Sequence, residues 1–206
     1  MAARGVNSRT RGASPSSRNA RRPGPPVLAI SGPSGSGKTW LLVRLIPALI
    51  VRGLKVAALK HSGHEHPLDK RGKDSARLRD AGAEAVIIQT PNAMALFGPP
   101  RESVDELVAL LPKVDLVLVE GWKSSGLPKI EVHRRSVSRE FLCESDRQVL
   151  AIATDERPPR RIPAFDADDV DGIAHFVVGW FAEGGTVSPR KRAPRGGRRR
   201  PARASR

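Results

Sequence analysis

A single cysteine, Cys143, is all that the 206-residue chain carries. One thiol closes no intrachain disulfide and makes no CxxC metal site, and its scarcity fits a reducing compartment. No apolar run approaches the roughly 18–20 residues of a membrane helix. The start of the chain also lacks the hydrophobic core of a secretory signal. Arg21-Arg22 has the look of a twin-arginine signal, but only the short run Val27–Ile30 follows before Ser31-Gly32 breaks it. The same segment is rich in Arg and Ser, as mitochondrial leaders are, yet Gly5, Gly12, Pro15, Pro23, Gly24, Pro25 and Pro26 oppose an amphipathic helix. A cytoplasmic protein is expected.

Acids are missing from both ends. Residues 1–26 hold six basic side chains and residues 184–206 hold nine, with no Asp or Glu in either. Together they account for the whole formal charge of +15, and residues 27–183 are formally neutral with 21 of each sign. Charge therefore gives no indication of a nucleic-acid-binding domain; at most the ends are basic arms. Their Arg/Ser/Pro/Gly/Ala composition buries too little apolar surface to offset chain entropy, which predicts disorder for 1–26 and 184–206 around one domain at 27–183.

What is present between the ends alternates. Strands are expected at Val27–Ser31, Lys55–Lys60, Ala85–Gln89, Met94–Phe97, Asp115–Val119, Ile130–His133 and Val149–Thr154. Helices are expected over Lys38–Val51 (with Pro47 as a potential kink), Lys73–Ala81, Glu102–Leu111 and Val170–Phe181, the last begun by Asp168-Asp169. Continuous apolar strands interspersed with helices predict an α/β fold, a mostly parallel sheet covered on both faces. Ligands of such sheets bind at the carboxyl ends of the strands.

Gly32-Pro33-Ser34-Gly35-Ser36-Gly37-Lys38-Thr39 matches GxxxxGK[ST], between an expected strand and an expected helix. Glycines let successive amides turn inward around a phosphate, where a Cβ would obstruct the turn or the approach. The helix start presents further free N–H groups to the same anion. Lys38 supplies a point charge to the β- and γ-phosphates and the Thr39 hydroxyl coordinates Mg²⁺. The pattern thus assigns Gly32, Ser34, Gly35, Ser36, Gly37, Lys38 and Thr39 to nucleotide binding. An acid at the end of an apolar strand is the second element needed near the metal, and Glu120 after Leu116–Val119 stands there. It is read as a metal-shell and water-orienting carboxylate, or else as the first solvated residue after a core strand.

The polar stretch 60–75 allows three readings. His61, His64 and His66 form a candidate metal cluster, without helical spacing to preorganise it. Asp69-x-x-Gly72 has the form of a switch loop in which the acid approaches Mg²⁺. Asp74 or Ser75 is a candidate cap for the next helix. No NKxD guanine motif is present; Asp155, after Val149–Thr154, is the one well-placed carboxylate for a guanine edge, and equally a turn residue. No glutamine or arginine finger is evident, so hydrolysis should be slow. Trp180 and Phe181 are expected in packing, and Ile130–His133 is a candidate pairing strand at a dimer edge.

The phosphate loop, Lys60-His61, Asp69-Lys70-x-Gly72-Lys73-Asp74-Ser75, Ala81-Gly82-Ala83, Asp115–Gly121 and Pro128-Lys129-Ile130-Glu131-Val132-His133-Arg134 occur in this order. Over residues 27–181 the chain resembles the MobB family, molybdopterin-guanine dinucleotide biosynthesis adapter proteins. The resemblance implies a three-layer P-loop NTPase fold, GTP binding with weak hydrolysis, and homodimerisation. It also implies cooperation with the guanylyltransferase MobA and with molybdoenzyme maturation. The chain departs from the family at Trp40, where a second Thr is usual, at Trp122, where Phe is usual, and at Gly63, which replaces a histidine. Two rival readings are a P-loop small-molecule kinase, needing an acceptor pocket and converging arginines, and a nucleic-acid-associated protein acting through its basic ends.

Overall fold

In the computed structural model the described residues are 24–63, 67–69 and 72–185. The basic ends therefore lie outside the described residues except at 24–26 and 184–185, as do His64 and His66.

Six strands form one sheet, every neighbouring pair parallel: β1 (Val27–Ser31), β2 (Val56–Lys60), β5 (Leu116–Glu120), β6 (Lys129–Val132), β7 (Val149–Thr154) and β8 (Ala164–Asp166). Their order across the sheet is β2-β5-β1-β6-β7-β8. Alternation of side chains splits the apolar residues between two faces. Leu28, Ile30, Leu116, Leu118, Ile130 and Val132 pack under α1 (Lys38–Val51) and α5 (Val170–Ala182). Ala29, Val117 and Val119 meet α3 (Val104–Val108) on the other face, where Cys143 of α4 (Leu142–Ser145) packs on Val149 and Ile152. The result is the three-layer α/β arrangement expected from the strand–helix alternation.

Pro47 lies within α1, which continues to Val51, where Arg52 and Gly53 (φ 89°) close it. The carboxylate of Asp169 caps α5 by accepting from the Gly172 amide at 2.9 Å. Helix α2 (Asp74–Asp80) is not capped by Asp74 or Ser75 as expected: Gly72 turns at φ 80°, Lys73 is extended and occupies the cap position, and Asp74 is already helical. α3 is shorter than Glu102–Leu111. The Ser103 hydroxyl caps its start, accepting from the Glu106 amide and donating to the Glu106 carboxylate, and the amides of Leu110 and Leu111 bond back only three residues, tightening its end.

The strands β3 (Val86–Gln89) and β4 (Met94–Phe97) do not join the main sheet; they pair antiparallel as a separate hairpin. The edge reading of Ile130–His133 is corrected by the topology. β6 is interior, bonded to β1 on one side and β7 on the other, so it has no free ladder to offer a second chain.

Candidate functional site

The loop 32–37 leaves β1 at its carboxyl end, between the ends of β5 and β6, where successive crossovers diverge to opposite halves of the sheet. Its glycines serve two different needs. A Cβ on Gly32 would stand 2.2 Å from the Val132 carbonyl oxygen, so Gly32 permits a close approach to β6. Gly35 and Gly37 have open space around them but adopt φ 81° and 99°, left-handed conformations that a side chain disfavours. The Ser36 hydroxyl is buried in this loop without a hydrogen-bond partner. Such an orphan is costly unless something enters to accept from it. Buried donor, left-handed turns and a helix start together fit a phosphate.

Lys38 begins α1 and folds back, its Nζ donating to the Gly32 and Pro33 carbonyls at 3.2 and 2.7 Å. Burial pushes its pKa below the ordinary lysine value; Glu120 opposes this, and the charges of Lys123 and Lys60 add to it. Thr39 Oγ1 donates to Glu120 Oε2 at 2.8 Å, although the two are 81 residues apart. Register explains the meeting: Glu120 ends β5 beside Ile30 of β1, the strand that feeds the loop. Lys60, the last residue of β2, is paired with Glu120 across the same row, Nζ to Oε1 3.3 Å. A hydroxyl and a carboxylate in contact are oxygen donors of the kind a hard divalent cation takes, with phosphate and water supplying the rest. The donor set fits Mg²⁺.

An open cavity of about 720 Å³ adjoins the loop, lined among others by Gly32, Lys38, Lys60, Glu120, Trp122 and Lys123. The structure thus brings together Lys38, Thr39 and Glu120. It does not bring Asp69 to them. Asp69 accepts from the Arg79 guanidinium at 2.9 Å and lines a separate cavity beside Phe97 of the hairpin, because α2 carries the arginine that neutralises it. His61 is stacked on Trp122, centroids 4.7 Å apart and planes 4° from parallel. No group of three metal-ligating side chains occurs among the described residues. Asp155 follows β7 at the same end of the sheet, exposed, its Oδ1 accepting from the Arg135 amide at 3.0 Å; that bond holds its carboxyl below the usual carboxylate range.

Sequence reasoning gave no role to Lys60 or Lys123, nor to the buried polar face of β6. Lys129 and Glu131 alternate on that strand, His133 follows its end in the same alternation, and all three are fully buried. Glu131 accepts from the amides of Leu142 and Cys143, at 2.7 and 2.8 Å. His133 Nδ1 lies 3.3 Å from Thr154 Oγ1 and its ring stacks on Phe141. A signal did exist: three polar residues at period two inside an apolar strand mark one face that meets partners rather than oil.

Comparison with known proteins gives the family. The family model described as molybdopterin guanine dinucleotide synthesis protein B, MobB, matches residues 27–155. A molybdopterin-guanine dinucleotide biosynthesis adapter protein of Haemophilus influenzae is 41% identical over 160 residues, covering 76% of this chain and 89% of the relative. The Escherichia coli protein of the same description is 40% identical over 163 residues, with 76% and 93% covered. A urease accessory protein, UreG 2 of Bradyrhizobium, is 34% identical over 96 residues, covering 45% of each. Among solved structures, a molybdopterin-guanine biosynthesis protein B superposes with a TM-score of 0.60 at 32% identity, over 74% of this chain and 98% of that one. A MobB homologue from Bacillus stearothermophilus gives 0.58 at 24% identity, over 76% and 98%, which bears on the fold. The chain belongs to the MobB family.

Proposed function

We propose that this MobB-family chain is a GTP-binding adapter of molybdenum-cofactor maturation, assisting a MobA-like guanylyltransferase that makes the guanine dinucleotide form. The observation that carries the nucleotide part is the contact of Thr39 with Glu120 beside a loop whose Ser36 hydroxyl lacks a partner. The adapter part rests on the two relatives at 40% and 41% identity whose descriptions say so.

In this reading the amides of residues 32–39 and the Lys38 ammonium hold the phosphates, Lys38 exchanging its loop carbonyls for phosphate oxygens. Thr39 and Glu120 hold Mg²⁺, which when bound neutralises phosphate oxygens. Asp155, kept ionised by the Arg135 amide, is the candidate acceptor for the N1 and N2 donors of guanine. Asp69 keeps its arginine and has no part. With no glutamine or arginine finger assigned to the attacking water, the isolated protein turns GTP over slowly. No helix among the described residues is long and apolar enough to cross a membrane. The hairpin presents Ile87, Met94 and Leu96 to solvent, a surface suited to a second copy in a homodimer.

Calorimetric titration with GTP and ATP in Mg²⁺ tests the reading. Saturable GTP binding that Lys38→Ala abolishes without altering the circular dichroism spectrum is the expected result. Unchanged GTP affinity in that variant refutes the site, and equal affinity for ATP refutes the guanine assignment.

A further inference from the structure

Beyond Glu120 the chain leaves β5 through two successive left-handed residues, Gly121 at φ 96° and Trp122 at φ 53°. Trp122 is the one non-glycine residue with positive φ among those described. An aromatic side chain is disfavoured there, and such strain persists only where the surroundings over-determine it. They do so here. The Ser125 hydroxyl and amide both donate to the Trp122 carbonyl, at 2.7 and 3.1 Å, closing the loop on itself. A Cβ on Gly121 would stand 2.6 Å from the His61 carbonyl oxygen, so the loop is also pressed against the segment after β2.

The remaining constraint comes from within the sheet. Lys129 is fully buried, and its Nζ spends its three donors on three acceptors: the Ser125 carbonyl at 2.8 Å, the Lys123 carbonyl at 3.0 Å and Asp146 Oδ2 at 2.5 Å. A buried ion pair is poor evidence for stability, since well-packed apolar residues do as well. This one is spent on two carbonyls of a single short loop. That loop carries Lys123, which lines the large cavity with Lys38 and Glu120 and also a small one of about 140 Å³ with Pro33 and Glu131. Lys123 therefore flanks the phosphate loop, and its charge is felt at Lys38.

We infer that Lys123 is a second cation for the terminal phosphate of a bound nucleoside triphosphate, and that Lys129 is the residue positioning it. The inference rests on the nucleotide site proposed above and adds to it a means of telling triphosphate from diphosphate. Lys38 alone serves a β-phosphate as well as a γ-phosphate. A cation approaching from the β5 side rewards only the longer chain.

The full-length protein is titrated with the β,γ-imido analogue of GTP and with GDP, both in Mg²⁺. Lys123→Ala is expected to weaken the triphosphate analogue roughly ten- to a hundredfold, the scale of one charge-assisted hydrogen bond, and GDP by less than about twofold. Lys129→Met combined with Asp146→Leu, which removes the buried pair without stranding either charge, is expected to lower the same ratio. Adding Lys123→Ala to it should cost nothing more. Lys129→Gln, which retains a donor for a carbonyl, is the second variant should that pair fail to fold. An unchanged ratio in Lys123→Ala overturns the inference. A ratio that falls in Lys123→Ala but holds in whichever Lys129 variant is folded overturns the positioning role, even if the melting temperature drops. Wild-type protein that binds neither nucleotide overturns the underlying site instead, so the two failures are separable.

Discussion

The Lys38 ammonium rests on two carbonyls of its own loop, half withdrawn from water, with two other lysines within electrostatic reach. Burial, the largest influence, favours the neutral amine, so the proton leaves at lower pH than from a free lysine. Only the protonated form attracts phosphate. Affinity is therefore at its full value while Lys38 is charged and is lost as pH rises through its lowered pKa, which lies below 10.5. Titration with tripolyphosphate at increasing pH should show the decline setting in before a free lysine would titrate, and Lys38→Ala should lack it. Cys143 illustrates the opposite sign: burial, then Glu131, pushes its thiol from 9.0 to about 11. The fold favours the thiol, so this contribution to stability is complete below pH 9.0 and fades as pH approaches about 11. The turns of the glycine loop were legible because each glycine answers a backbone need, a close approach at Gly32 and left-handed conformations at Gly35 and Gly37. The Thr39–Glu120 pair was half legible, since an acid closing an apolar strand is visible, whereas the register placing it beside β1 is not.

At the scale of elements, α4 depends on another part of the chain. Leu142–Ser145 is four residues long, too short to stand alone, and its first amides are satisfied by the carboxylate of Glu131 on β6. Arg160 secures the far side, donating to the carbonyls of Cys143, Asp146 and Val149. Glu131→Ala strands two buried amides and should cost roughly 2–4 kcal/mol in urea denaturation. It should also open Cys143, 1% exposed in the native fold, to alkylation at neutral pH. Unchanged alkylation and stability would show that α4 holds without its cap. Neither α4 nor the three-residue β8 has a periodic pattern to read, whereas Lys38–Val51 and Val149–Thr154 stand in the structure with the boundaries their apolar patterns give. Long elements bury enough side chains to record their period; short ones borrow their stability from neighbours.

For the molecule as a whole, net charge and fold are carried by different residues. The packed structure reaches from Pro26 to Gly185, where the Gly185 backbone meets the Pro26 ring near Trp180: a Cβ on Gly185 would stand 2.4 Å from the Pro26 Cβ. The amides of Gly184 and Gly185 bond to the carbonyls of Phe181 and Trp180, finishing α5. A chain trimmed to 24–185 should melt within about 2 °C of the full protein, because it keeps every core residue among those described. It should lose salt-sensitive retention on an anionic resin, since it sheds the whole of the +15. A large fall in melting temperature would mean that the basic ends contribute to the fold.

The sequence by itself determined the layers, the phosphate loop and the separation of charge from core, because each is written in contiguous residues: apolar runs, a glycine spacing, an acid-free tail. Tertiary structure alone decided that β3 and β4 stand apart as a hairpin, that β6 is interior, and that Asp69 goes to Arg79. It also decided that Lys129 holds the loop bearing Lys123. The physical reason is common to all four. Which strand a segment pairs with and which ion a charge meets depend on burial that exists only once the sheet is assembled, even where the partners are close in the chain, as Asp69 and Arg79 are.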